Sequence, residues 1–72
     1  MLVRDIIQYC DYFTLVMIGH EDSIDVSLDD LRSSPYRAEL LNSRIKNIYA
    51  DYGVRIQVAF NKDIFKYYTK KG

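Results

Sequence analysis

Leu41-Asn42-Ser43-Arg44-Ile45-Lys46-Asn47-Ile48-Tyr49-Ala50-Asp51-Tyr52-Gly53 decides the architecture, because two readings compete for it. Ala38, Leu41, Ile45, Ile48 and Tyr52 are spaced three, four, three and four residues apart, and Gly53 is placed as a C′ glycine. That rhythm predicts one helix from Pro35 to Tyr52. Asn42, Ser43 and Asn47 oppose it, since they are weak helix formers gathered in mid-segment. The rival is a break near Asn42-Ser43, a strand over Arg44 to Ala50 and a turn at Asp51-Tyr52-Gly53. Val54, Ile56, Val58 and Phe60 alternate with Arg55, Gln57 and Ala59, so a strand follows Gly53 on either reading. Periodicity alone leaves the two open.

Upstream the pattern is firmer. Leu2, Val3, Ile6, Ile7 and Cys10 fall on one side of a helix of about nine residues, with Arg4, Asp5, Gln8 and Asp11 opposite. Tyr12 to Ile18 is rich in β-branched and aromatic residues and reads as a strand buried on both faces or nearly so. Gly19 to Ser23 is a polar turn. Ile24, Val26 and Leu28 alternate with Asp25 and Ser27 in a second strand with one wet face, which completes a hairpin. Ser27 followed by Asp30 resembles a capping box, with a short helical turn through Leu31. Ser34 as N-cap and Pro35 at N1 predict a helix from Pro35 to about Asn42. Beyond Phe60, Asn61 is placed to cap a short helix bearing Ile64, Phe65 and Tyr68.

The chain has 72 residues, ten bases and ten acids, which allows a single domain, residues 1–72, with a basic, Tyr-rich C-terminal tail over 61–72. Residues 1–31 hold seven acids and one base, and residues 32–72 hold nine bases and three acids. The halves either compensate within one domain or meet different partners. This division disfavours a mimic of whole DNA, and the zero net charge disfavours a purely electrostatic nucleic-acid binder. No apolar run approaches ~18 residues, so no membrane partner is expected. The first residues lack a basic region followed by an apolar stretch, so no secretory signal is expected. The lone Cys10 agrees with a reducing cytosol. Seven Tyr and three Phe are more rings than so small a core hides, which predicts ring surface at an interface with a copy of the chain or with a target.

The inventory for catalysis is thin, and no enzyme, metal or cofactor is expected. His20, the single histidine, sits in a polar loop beside Glu21 and Asp22, with no second His or thiolate to converge on a metal. Cys10 lies on an apolar helix face and reads as core filler. Asp29 and Asp30 are adjacent, so on regular structure they diverge. The three glycines are scattered, and none forms a phosphate-cradling loop. In the tail, Lys66, Tyr67, Tyr68, Lys70 and Lys71 interleave bases with rings. That pattern suits single-stranded nucleic acid, but it equally describes an amphipathic helix that covers a sheet, which is the preferred reading.

The opening VRDIIQYCDYFTLVMI, a helix running into a strand, resembles the start of short accessory proteins of bacteriophages and prophages of Gram-positive bacteria. LLNSRIKNIYADYGVRIQVAF resembles their leucine pair, apolar–polar–polar–apolar strand and second hairpin. The resemblance covers about residues 2–60 as a pattern of hydrophobic positions and carries no diagnostic motif. It tips the choice over residues 43–52 toward a broken helix and a strand. Some small phage proteins inhibit host defences, anti-CRISPR proteins among them, by binding and blocking.

The resulting expectation is an α+β fold: a small antiparallel sheet of two hairpins with helices packed on one face, in the order helix, hairpin, helix, hairpin, tail. The expected function is non-catalytic binding of a host protein in the host cytosol. Glu21, Asp22, Asp25, Asp29 and Asp30 would occupy a basic groove, and Tyr36 and Tyr49 would anchor. Single-stranded nucleic-acid binding, an oligomeric nucleotide sponge and a structural homo-oligomer such as a homodimer are the alternatives.

Overall fold

The computed structural model describes residues 1–70. The chain forms a small α+β domain of four strands and four helices in the order α1 (Val3–Ile6), β1 (Thr14–Ile18), β2 (Ser23–Ser27), α2 (Leu28–Ser33), α3 (Arg37–Leu41), β3 (Ile45–Ala50), β4 (Val54–Val58) and α4 (Lys62–Thr69). Each hairpin is antiparallel, β1 with β2 and β3 with β4. Between the hairpins, however, β1 and β4 run parallel, so the sheet is mixed, in the order β2-β1-β4-β3, and not antiparallel throughout. Antiparallel pairing is satisfied by local turns, whereas the parallel join needs the long crossover that β2, α2, α3 and β3 supply.

One face of the sheet carries the core. In register across the strands, Val26, Leu15 and Ile56 form one row, and Ile24, Met17 and Val58 form the next. Val3, Leu28, Leu31, Leu40 and Ile64 bring one or more buried side chains from each helix to the same cluster. All four helices therefore lie on one side. Phe13 precedes β1 in phase with Leu15 and Met17 and is fully buried. β1 departs from burial on both faces, since Leu15, Val16 and Met17 are buried but Ile18 is exposed.

Residues 41–53 take the strand reading. α3 ends at Leu41, Ser43 Oγ donates to the Glu39 carbonyl at 2.9 Å, and β3 begins at Ile45. Tyr52 (φ 55°) and Gly53 (φ 114°) both lie at positive φ in the β3–β4 turn. The register slips between Ile45 and Asn47, a bulge that bends this edge. The N-terminus pairs beside it, where Val3 N donates to Ser43 O and Ile45 N to Met1 O.

Other boundaries move. α1 is four residues long, not nine, and the apolar stripe continues through turns that place Ile6, Ile7 and Cys10 half-buried against the core. Ser34 does not cap α3 directly. Its Oγ accepts from Tyr36 N at 3.0 Å and the helix starts at Arg37, two residues later than the Pro35 start predicts. Ser27 does cap α2, accepting from Asp30 N at 3.2 Å.

After Phe60, Asn61 caps a helix, α4, that bears Ile64, Phe65 and Tyr68, as the sequence predicts. Asn61 Oδ1 accepts from Asp63 N at 3.0 Å and Ile64 N at 3.2 Å, satisfying two donors that a helix start leaves unpaired. Ile64 is fully buried, and Tyr68 donates to Ser34 Oγ at 2.7 Å. Asn61→Ala is expected to cost about 1 kcal/mol of unfolding free energy through the lost cap. Urea denaturation followed by circular dichroism measures this, and an unchanged midpoint would remove the cap from the account.

Candidate functional site

Among the described residues, none forms a layer over the face of the sheet opposite the helices. It carries Thr14, Val16 and Ile18 of β1, Ser23 and Asp25 of β2, Arg55 and Gln57 of β4, and Tyr49 of β3, in phase across the register. Strand twist makes this face an open trough of about 500 Å³. Val16 and Ile18 lie in its floor. The β1–β2 turn, Gly19 to Asp22, walls one end, and Tyr49 and Asp51 wall the other.

Arg55 organises the trough. β4 and β2 flank β1, about 10 Å apart at ordinary strand spacing. Arg55 spans that gap, and its Nη1 donates to Asp25 Oδ2 at 3.0 Å while its Nε donates to the Asp51 carbonyl at 3.0 Å. The pair passes above β1, which explains why Val16 is only 5% exposed on a face without helices. The hydrogen bond to Asp25 pushes the guanidinium above its ordinary value; partial burial opposes the rise, and the charges of Asp25 and Asp51 add to it. Arg55 is therefore charged at every ordinary pH. Asp25 belongs to the acidic half of the sequence and Arg55 to the basic half, so the halves meet within one chain.

Among the described residues the other acids of the trough form no side-chain hydrogen bond to Arg55, although the charge of Asp51 acts on it. Glu21 and Asp22 are exposed on the turn and Asp51 is exposed at the far wall, with His20 beside the first two. Among the described residues no group of three or more His, Cys, Asp or Glu is arranged to hold a metal ion. No described helix is long and apolar enough to cross a membrane. What the arrangement offers is an open, wet trough with an acidic rim, an aliphatic floor and one fixed guanidinium.

The structure divides the residues expected to bind a partner. Glu21, Asp22, Asp25 and Tyr49 come together around the trough. Asp29 and Asp30 do not join them, because α2 carries them away, Asp29 into an exposed pair with Arg32 at 3.6 Å. Tyr36 lies on the helix side, half-buried and edge-on to Tyr67 at 5.4 Å. Asp51 and Arg55 were not among the expected site residues, although the strand reading of residues 44–60 brings both to the second hairpin. What the sequence lacked was the parallel join that sets Arg55 across β1 from Asp25.

Lys66, Tyr67, Tyr68 and Lys70 stand on α4, and Lys71 lies outside the described residues. Tyr67 and Tyr68 are half-buried and pack edge-to-face at 5.0 Å. Tyr67 also meets Tyr36 edge-on, so both rings take part in contacts within the protein while keeping some surface exposed. Of the ten rings in the chain only Phe13 is buried, while Tyr9, Tyr12, Tyr52 and Phe60 are exposed. Comparison with protein-family models, with curated proteins and with solved structures finds no match.

Proposed function

We propose that this protein acts without catalysis, by seating the surface of another protein on the uncovered face of its sheet. The observation that carries the reading is the trough itself, where a whole sheet face lacks a covering layer among the described residues and keeps Ile18 51% exposed between acidic walls. Glu21, Asp22 and Asp51 favour a basic counterpart, since rim charges steer encounter and select orientation. Tyr49 supplies an amphipathic ring of the kind enriched at interface hot spots. The resemblance to short phage accessory proteins supports a host protein, including a defence protein, as the partner to be blocked.

A photo-crosslinking amino acid placed at Tyr49 or Ser23, compared with Lys62 on the helix side, tests the reading in bacterial cells. A discrete protein adduct is expected from the trough positions and none from Lys62. Reversing charge with Glu21→Lys and Asp22→Lys is expected to lower adduct yield about tenfold at low salt, through the loss of steering. Adducts from Lys62 alone, or no adduct from either trough position, would overturn it.

A further inference from the structure

The two outer edges of the sheet are treated differently. On β3, Met1 and Val3 bond to Ile45 and Ser43, a bulge interrupts the register at Lys46, and Asn47 Oδ1 accepts the Ile48 N–H at 3.0 Å. These are the ordinary means by which an edge is closed to further strands. β2 has none of them. It is regular over all five residues, holds no proline, bulge or lysine, and among the described residues no strand lies beyond it.

The backbone groups that β2 leaves unpaired can be named. Gly19 N–H donates to the Asp22 carbonyl at 2.7 Å, which turns the peptide groups of residue 22 toward β1. Alternation then turns those of Ile24 and Val26 the same way and those of Ser23 and Asp25 outward. Ser23 and Asp25 are both exposed. Between Arg4 and Arg32 there is no Lys or Arg; of the acids on β2 and its immediate flanks, Asp25 is paired with Arg55 and Asp29 with Arg32, which leaves Glu21, Asp22 and Asp30 without a salt bridge among the described residues.

Charge decides the occupant. A second copy added about a two-fold axis on this edge would set Asp25 opposite Asp25, each answered by its own Arg55, but would also bring Glu21 toward Asp29 of the other copy, and like charges placed opposite one another are destabilising. A strand bearing Lys or Arg meets opposite charge along the same line. We infer that the β2 edge receives an extended, cationic segment of the partner protein as a fifth strand, continuing the open trough. This rests on the reading of the uncovered face as a protein-binding surface, and it adds the mode of docking.

The probe is a capped heptapeptide alternating Lys with Val, compared with its Glu-for-Lys counterpart, followed by amide NMR of the intact protein. The basic peptide is expected to shift the Ser23 and Asp25 amides, to bind at least about tenfold more tightly than the acidic one, and to weaken as salt rises. Ser23→Pro removes an outward donor without touching the β1 ladder, and it is expected to abolish binding while the remaining amides keep their dispersion. A peptide N-methylated along one edge makes the same test with the protein unaltered. Shifts confined to β3, equal binding of the two peptides, no binding of the basic peptide at millimolar concentration, or indifference to N-methylation would each overturn strand addition. Crosslinks at Tyr49 that persist in Ser23→Pro would overturn it too, while leaving the protein-binding reading of the open face standing.

Discussion

Phe13→Ala is expected to abolish cooperative folding. Phe13 is the largest of the fully buried side chains and sits where the chain enters β1, among residues contributed by the helices and by β2 and β4. Truncating a buried Phe costs about 3–5 kcal/mol, because the transfer of the ring and the cavity left behind both count. A domain of 72 residues with a single cysteine, and so no internal disulfide, has about 3–5 kcal/mol to lose. The variant should lose near-ultraviolet circular dichroism and amide dispersion at 25 °C. Phe60→Ala is the control, since that ring is 54% exposed, and it should unfold within about 1 kcal/mol of the parent. A cooperative urea transition for Phe13→Ala within about 1 kcal/mol of the parent would refute the placement of this ring in the core.

Gly19→Ala should destabilise, although nothing in the backbone forbids alanine there. Gly19 does not lie at positive φ, so alanine would ordinarily stabilise by about 0.4–1 kcal/mol through the unfolded chain. Here an added Cβ would stand 2.5 Å from Phe65 Cζ and 2.7 Å from Cε2, because the ring of Phe65 lies against the glycine. Relief requires the ring to rotate out of its contact with Phe60 or α4 to lift from the sheet. Either response belongs to the range of about 1–3 kcal/mol seen for overpacking. In a Phe65→Ala background the same change should be neutral or stabilising, so a double-mutant cycle reads the contact directly. Additive effects in that cycle would mean that the ring and the glycine do not meet.

These two positions also show what could be read from the chain. Ile24 and Val26 alternate in sequence as they do in the core, and Ile56 and Val58 do the same, so β2 and β4 were legible from period, while β1 was legible from its β-branched and aromatic content. β3 was not, for a physical reason. Its bulge inserts one residue between Ile45 and Ile48, which puts both on the same face at a spacing of three, the spacing of a helix. Gly19 read as a turn residue, yet its smallness serves the approach of Phe65, whereas the turn that needs positive φ is made by Tyr52 and Gly53. For the site, the acidic turn and Tyr49 were visible as residue types. Their meeting around Arg55 was not, because it depends on pairing two hairpins that are remote in sequence. Asp29 and Asp30 were drawn into the expected site by adjacency, and α2 separates them from it.

The parallel join of β1 to β4 has a consequence for the order in which the molecule assembles. Each hairpin closes over a short turn and forms within microseconds, whereas Leu15 and Ile56 meet across about 40 residues of chain and must wait for the slower search that such loops impose. Until then Met17 and Val58 face water on two half-sheets whose inner edges are bare. That transient species is more prone to aggregate than the finished protein, because its exposed edges are the apolar strands that the native sheet keeps at its centre.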